Sequence, residues 1–546
     1  MAPAFGRPLV VAAAGLYGLA VLAVGLWAGR RTRTARDFFI AGQDLGLWVT
    51  AAATMSAAFS GFVFLGGPGL TYRIGLGSLF ICLPVGFTSA MLCWTVGRRL
   101  RELAGAAPVL TVPDVILQRY GSRTASGLAA LAVVVGVCGY LGAQILALGI
   151  VVEAVFGTRA SLGEWSLPVA MAAGTIVVLA YTSAGGMVAA AYTDLLQGAL
   201  MVAAAVGVFG VAIAEGGGLP AMAASISSRF GSRFLEPFGQ APVTTALGFW
   251  FVFSVGTLGQ PHLLHKFFML RDPAKLRWLP VAVTSGQALC LAIWFGLGLA
   301  VPALVAQGRL PPLDRPDEAT LAFLLRIAPD GVVGLALAGV LAAIMSTVDS
   351  FVNVGAAAIV RDLPRALGRP LRRELLWGRI ATGALLVGAA VLAWLHADLI
   401  ALLGTFAFGT FAAALAPALA VGLNWPGVTA RAASLSIGTG LVLNVALEFL
   451  QRQPFFPGLP RPPLAAGAVP SAVALAASFL VLLAASWIRP RGEEAADRTA
   501  PRLPEAPPPF RDPAPRPRGR PGIRPSRGAG ARGCRDRGPG SSGSGG

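Results

Sequence analysis

Two carboxylates, Asp194 and Asp349, stand inside long apolar runs of this 546-residue chain, in Tyr192-Thr193-Asp194-Leu195-Leu196-Gln197 and Met345-Ser346-Thr347-Val348-Asp349-Ser350. A charge at mid-membrane costs roughly 2.5–3.5 kcal/mol on insertion scales, so each needs a reason to be there. For Asp194 the stronger reading is a carboxylate on a cation pathway; the plainer one is a side chain close enough to the headgroups to stay solvated. Asp349 could equally cap or pair within a helix bundle. Around it, the hydroxyls of Ser346, Thr347 and Ser350 interrupt Leu, Ala, Val and Ile. Sodium is a hard cation suited to oxygen ligands, and adjacent hydroxyls with freed carbonyls can replace its water shell. Hydroxyls in membrane helices also bond back to their own carbonyls, so the pair alone is a weak signal. In a third apolar run Gln144 follows Tyr140 by one helical turn.

The hydroxyl pair gains weight from interruptions elsewhere. Ser56-Ala57-Ala58-Phe59-Ser60-Gly61-Phe62 breaks one apolar run, and Gly66-Gly67-Pro68-Gly69 is expected to end it. A second interruption, Gly256-Thr257-Leu258-Gly259-Gln260-Pro261, ends a later run. Interrupted helices at corresponding positions of two halves are the best sequence pointer to a transporter's binding site. The halves show no convincing self-similarity, so the repeat rests on spacing alone.

The elements that must hold these residues are membrane helices. Apolar residues make up 55% of the chain and charged residues only 12%, about half the soluble norm. At about 20 apolar residues per crossing, thirteen spans are expected: 9–28, 45–65, 76–96, 125–152, 167–181, 187–214, 245–258, 279–305, 331–360, 376–395, 400–423, 433–450 and 469–487. The fifth and sixth are separated only by Thr182-Ser183-Ala184-Gly185-Gly186, so they could pass for one kinked helix. The implied layout is an extra N-terminal helix and basic loop (1–44), a five-helix half (45–214), an external loop (215–243), a second five-helix half (244–423), two C-terminal helices (424–488) and a tail (489–546).

Net charge is +18, from 43 Lys plus Arg against 25 Asp plus Glu. The tail from Arg489, rich in Pro, Arg and Gly, supplies +7 of it with 13 arginines and 6 acids; such a composition is expected to be disordered. Pooled over alternate loops and span ends, one set holds twenty basic residues, including Lys266, and the other ten. The richer set is expected in the cytoplasm, which puts the N-terminus outside and the C-terminus inside. The positive charge therefore reports orientation and gives no argument for nucleic acid.

Other classes drop out. Neither lysine, Lys266 nor Lys275, belongs to a phosphate loop of the G-x-x-x-x-G-K-[ST] type. The five cysteines show no disulfide or zinc spacing. His262 and His265 lack a carboxylate or thiol companion and read as polar loop residues. No H-E-x-x-H and no Ser/His/Asp set supports an enzyme.

Taken in order, several segments make the chain resemble the sodium:solute symporter family, with its bacterial sodium/proline and cation/acetate branches. They are Arg36-Asp37-Phe38-Phe39-Ile40-Ala41-Gly42, Gly185-Gly186-Met187, Tyr192 to Gln197, Gly259-Gln260-Pro261-His262, Leu341 to Thr347, and Phe408-Gly409-Thr410-Phe411 through Pro417. The likeness covers about residues 8–450. It implies an all-α fold of the inverted-repeat, leucine-transporter type. Carried over by position, it implies a sodium site made by the hydroxyls of Ser346 and Thr347 with the backbone carbonyls of Ala343, Ser56 and Phe59, and Asp194 on the sodium route to the cytoplasm. Solute contacts are expected from Phe62, Tyr140, Gln144, Phe253, Thr257 and Gln260. Ala58, Phe62, Phe253 and Thr257 depart from the sodium/proline branch, which puts proline in question as the solute.

The expected function is sodium-coupled symport of a small organic solute, an amino acid or a monocarboxylate, across a bacterial-type plasma membrane, with sodium as coupling ion and no cofactor. The partners are the solute, sodium and the bilayer; no obligate protein partner is evident. The alternatives are proton coupling through Asp194 or Asp349, and a solute sensor that does not transport.

Overall fold

A computed structural model describes residues 7–29, 44–106, 109–395, 400–452, 464 and 467–488. The tail, and with it the expectation of disorder there, lies outside the described residues, as do Arg36 to Gly42. Among the described residues there is no strand, only one isolated bridge between Leu45 and Leu270. Among the described residues eleven helical segments are long and apolar enough to cross a membrane by length and composition, and two shorter apolar helices accompany them. The chain is a multi-pass membrane protein.

The helices used below are α1 (Pro8–Gly29), α2 (Leu47–Ala58), α3 (Gly67–Ile74), α4 (Arg123–Phe156), α5 (Ser166–Glu215), α6 (Val243–Val255), α7 (Pro261–Met269), α8 (Leu279–Ala306), α9 (Asp330–Ala357) and α10 (Ile400–Ala420). Most are apolar all round, as expected of helices buried in a bilayer or a bundle. α4 starts where the Ser122 hydroxyl accepts the Ala125 N–H, and it stops at Gly157, whose φ of 65° suits glycine. Small residues let the long helices approach closely. A Cβ on Gly339 of α9 would stand 2.4 Å from Ala204 of α5, and one on Gly136 of α4 would stand 2.4 Å from the Phe411 ring of α10.

The expected connector at 182–186 has helical backbone, within a helical stretch of 50 residues from Ser166 to Glu215. A straight helix of that length would run about 75 Å, against a hydrocarbon core of about 30 Å. Both ends, however, are tied to one loop. Thr158 bonds Ser166, and the neighbouring Arg159 pairs with Glu318, while Arg309 pairs with Glu215. α5 must therefore fold back on itself. Its first arm packs Gly174 on Leu148 of α4, and its second packs Ala204 on Gly339 of α9.

Two boundaries differ from expectation. Gly66-Gly67-Pro68-Gly69 does not end the second span: Pro68 sits in the first turn of α3, where its missing N–H is harmless. The seventh apolar segment does not stop near Leu258 but continues through α7, giving one stretch of 27 residues, Val243–Met269.

Candidate functional site

Both expected interruptions are real. α2 ends at Ala58, and Phe59 turns extended (φ −112°, ψ 120°) while its N–H still reaches Met55 and Ser56. Helical backbone resumes with a wide turn over Phe62–Gly66. The freed groups in between find partners, as buried backbone must. The Gly61 N–H donates to Gln144 Oε1 at 3.0 Å, and the Phe62 N–H donates to Ser60 Oγ at 3.1 Å. Gly61 is required by contact, since a Cβ there would stand 2.8 Å from Ala147. The second break is a tight turn at Gly256–Gly259 followed by Gln260 (φ −78°, ψ 104°), after which Pro261 opens α7.

The hydroxyl pair of α9 faces the first break. Ser346 Oγ donates to the Ser56 carbonyl at 3.1 Å, 290 residues away in sequence, and also to the Ala343 carbonyl at 3.1 Å. Thr347 Oγ1 donates to Ala343 at 2.9 Å. The back-bonding that weakens a hydroxyl signal is thus present, but Ser346 also crosses to another helix. Ser56, Ala343, Ser346 and Thr347 are all fully buried, and Phe59 nearly so. Two hydroxyl oxygens and two carbonyl oxygens converge here, a donor set that suits a hard monovalent cation.

Beside it lies an aromatic chamber. Phe62 stacks on Phe253 with ring centroids 5.8 Å apart, Phe253 stacks on Phe408 at 4.4 Å, and Trp294 meets Phe62 edge-on at 5.8 Å. Thr257 Oγ1 donates to the Phe253 carbonyl at 2.6 Å, which leaves its lone pairs free to accept. Gln260 Nε2 donates to the Gly256 and Phe408 carbonyls, each at 3.0 Å. Among the described residues four buried side-chain amide atoms make no hydrogen bond, and two of them stand at the breaks: Gln144 Nε2 and Gln260 Oε1. Tyr140 approaches Ser60 at 3.4 Å and stacks on Phe351 at 4.3 Å, and Phe351 in turn packs on His262 at 4.2 Å. All six expected solute residues therefore lie at or next to the breaks, while Trp294, Phe351 and Phe408 join the aromatic wall without having been anticipated.

Asp194 is fully buried, and here the sequence reading is corrected. Lys266, counted with the basic loop residues, is 1% exposed within α7, and its Nζ lies 3.1 Å from Asp194 Oδ2 and 3.2 Å from Ser350 Oγ. His262 and His265, read as loop residues, are buried in the same helix. Two more residues of the basic set are buried as well: Arg119 donates to the Gly422 and Trp425 carbonyls, and Arg361 pairs with Asp114. Asp349 is also buried, and nearby Gln197 Nε2 donates to the Tyr17 hydroxyl at 3.0 Å.

One side of the first break is covered by the loop after α8. Thr320 Oγ1 donates to the Phe64 carbonyl at 2.7 Å, and Asp317 Oδ2 accepts the Ile400 N–H at 2.7 Å, capping α10. Burial pushes the Asp317 carboxyl up to about 7, against the opposing pull of that amide and of Arg315 and Arg73. Arg315 pairs with Glu153 at 2.6 Å and with Glu318 at 2.5 Å, tying the loop to α4.

A helical membrane body with two broken helices, the first of them hydrogen-bonded to the hydroxyl pair of α9, is the architecture of a secondary transporter. Residues 38–440 match the Sodium:solute symporter family, and the chain belongs to it. It is a transporter and not an enzyme. The osmoregulated proline transporter OpuE of Bacillus subtilis (strain 168) is 28% identical over 450 residues, covering 80% of this chain and 88% of that protein. The sodium/pantothenate symporter of Escherichia coli (strain K12) is 26% identical over 451 residues, covering 80% and 90%. Among solved structures, a Na+-coupled sialic acid symporter in a substrate-bound outward-open state superposes with a TM-score of 0.70 at 16% identity, over 88% of this chain and 98% of that one. MHP1, a nucleobase-cation-symport-1 family transporter in a closed conformation, gives 0.51 at 15% identity, over 85% and 97%. These two likenesses concern the fold.

Proposed function

We propose that the chain carries a small amino acid or monocarboxylate into the cell together with sodium by alternating access, using thirteen spans with two inverted five-helix halves at 45–214 and 244–423, the N-terminus outside and the C-terminus in the cytoplasm. The observation that carries the sodium reading is the Ser346 hydroxyl on the Ser56 carbonyl at 3.1 Å, because it joins the first broken helix to α9 of the other half. Sodium enters among Ser56, Phe59, Ala343, Ser346 and Thr347. Each hydroxyl proton can stay on its present carbonyl while the oxygen lone pairs turn to the ion.

The unpaired amide atoms bear on the solute. Gln144 Nε2 supplies a donor for a carboxylate, and Gln260 Oε1 supplies an acceptor for an ammonium group. Both are anchored at the breaks by their other amide atom, so they are oriented before the solute arrives. The aromatic wall of Phe62, Phe253, Phe408 and Trp294 then packs on an apolar body. The relatives named for proline and pantothenate are in keeping with a small carboxylate-bearing solute.

Asp194 serves the sodium route through its position near Ser56, whose side chain faces it. Its pairing with Lys266 weighs against Asp194 as the proton carrier of a proton-driven cycle. Proteoliposomes holding the purified protein should accumulate solute only under an inward sodium gradient. Undiminished accumulation driven by a pH gradient in the absence of sodium would overturn the reading.

A further inference from the structure

The bridge between Leu45 and Leu270 clasps the entry to α2 against the chain that leaves α7. The Leu45 N–H donates to the Met269 carbonyl and the Arg271 N–H to the Leu45 carbonyl, each at 3.0 Å. The clasp holds the start of α2 beside the tight helical turn Pro273–Trp278 that leads into α8. Between the two lies a groove of about 530 Å³, bordered by Gly46, Trp48, Asp272, Lys275, Arg277 and Trp278. Its two tryptophans are 73% and 56% exposed, Trp48 in the first turn of α2 and Trp278 immediately before α8. A large ring left open at the end of an apolar membrane helix belongs at the headgroup level, where its body meets acyl chains and its N–H meets water. Val281 and Leu289, also exposed, continue the apolar surface down one face of α8.

The charges around the groove are weighted toward the positive. Arg271 pairs with Asp44 at 3.5 Å. Asp272 Oδ1 accepts the Ala274 N–H at 3.0 Å, which closes the turn, and its charge acts on Arg101. Lys275 and Arg277 add two further cations, and the Arg277 guanidinium lies 5.9 Å from the centre of the Trp278 ring. α2 opens here without a side-chain cap, so the positive end of its dipole adds to the same sign. A soluble anion would use these cations and leave the rings idle. An acidic protein segment would leave the apolar face of α8 to the bilayer. A ligand with a phosphate at the level of the tryptophans and acyl chains below them uses both.

We infer that this groove binds an anionic phospholipid, its phosphodiester between Lys275 and Arg277 and its chains along Trp48, Trp278 and the exposed face of α8. Basic pockets between membrane helices take such headgroups. The bound lipid braces the start of the first broken helix against α8. The inference is independent of solute and ion, and takes from the proposed orientation only which leaflet supplies the lipid.

The test is tryptophan fluorescence of the purified full chain in a neutral detergent, titrated with phosphatidylglycerol or phosphatidylcholine carrying the same brominated acyl chains, which quench the rings they touch. Exposed tryptophans elsewhere meet both lipids alike, so phosphatidylglycerol should quench wild type further, and W48F/W278F should lose most of that excess. In K275Q/R277Q the half-saturating phosphatidylglycerol should rise roughly 30-fold, as the loss of two headgroup-level charges implies. Lys275→Gln and Arg277→Gln alone should each give roughly fivefold, which decides the matter if the double variant does not fold. R369Q/R372Q, which removes two exposed cations away from the groove, should titrate as wild type does. Equal quenching of wild type by the two lipids would overturn the inference, as would an excess that survives in K275Q/R277Q or is lost equally in R369Q/R372Q. If millimolar inorganic phosphate or polyglutamate displaces the lipid where chloride of the same ionic strength does not, the groove serves a free anion or an acidic chain and the inference fails.

Discussion

Thr347→Val isolates a single oxygen of the proposed sodium site. Valine keeps the volume and branching of threonine and removes only the hydroxyl, which in this structure has one partner, the Ala343 carbonyl at 2.9 Å. That carbonyl keeps the Ser346 hydroxyl at 3.1 Å, so no buried group is orphaned and the folding cost stays near the net value of one hydrogen bond, about 0.5–1.5 kcal/mol. The ion, in contrast, loses one of the five oxygens proposed for it. An interaction between a polar oxygen and a charged group is worth about 1.5–3 kcal/mol, and each 1.36 kcal/mol is tenfold, so half-maximal sodium should rise by roughly 10- to 150-fold. Thr347→Ser, which restores the hydroxyl and drops the methyl, should recover most of that. The assay is initial solute uptake into proteoliposomes against sodium concentration, with sodium-dependent fluorescence of the same protein as a transport-free check. A shift of less than about threefold in Thr347→Val, or equal impairment of the valine and serine variants, would refute the assignment of Thr347 as a ligand.

Gly67→Ala would drive a Cβ to 2.3 Å from the Trp294 ring, which is fixed by its indole N–H on Thr71 at 2.9 Å; overpacking of this kind costs about 1–3 kcal/mol, and the melting temperature in detergent should fall accordingly. Gln144→Leu strips the Gly61 N–H of its acceptor and the proposed solute of a donor; a loss of about 1–3 kcal/mol should appear as at least a several-fold rise in half-maximal solute with a small change in sodium dependence. For Asp317, held at about 7 by burial, the folded chain binds the proton more tightly than the unfolded chain, whose carboxyl titrates near 4. That contribution is fully present below about pH 4 and is lost as pH rises through 7, on the order of 4 kcal/mol over the range. Melting temperature measured between pH 5 and 8 should therefore fall more steeply in wild type than in Asp317→Asn, and parallel curves would show that the carboxyl is not titrating there.

What the sequence made legible is what stands out against a uniform background. Ser346 and Thr347 were visible because nearly everything around them on α9 is aliphatic, and the two breaks were visible because glycine, serine and proline interrupt runs that otherwise have no reason to stop. Lys266 was hidden for the opposite reason: Pro261-His262-Leu263-Leu264-His265-Lys266 is polar enough to read as a loop, and its partner Asp194 is 72 residues away. Without the pairing, neither charge has a visible reason to be buried. Gly66-Gly67-Pro68-Gly69 misled because a glycine and proline cluster ends helices more often than it begins one. Here the glycines answer close contacts, Gly67 with Trp294 and Gly69 with the Pro316 backbone, which depend on chain segments far away in sequence. The expected connector at 182–186 showed a further limit, because it stays helical despite two glycines that disfavour helix, and the reversal of α5 is evident only from where its two ends are tied.

The contact between Ser346 and Ser56 also sets a scale for coupling. It is a hydroxyl-to-carbonyl hydrogen bond between α9 and the first broken helix at the proposed ion position, and such a bond contributes about 0.5–1.5 kcal/mol net. That biases the two halves toward one arrangement by only about 2- to 13-fold. Moving a two-state equilibrium from 1:99 to 99:1 takes about 5.5 kcal/mol of differential affinity. The difference, on the order of 4 kcal/mol, has to come from an ion that binds oxygens of both elements together and binds poorly when they separate. Ligands confined to α9, such as Ala343, Ser346 and Thr347, would bind sodium equally well in either arrangement and shift nothing. On the proposed sodium site, the carbonyls of Ser56 and Phe59, at the free end of α2, would therefore be the ligands on which coupling depends, and the break in that helix is what frees them.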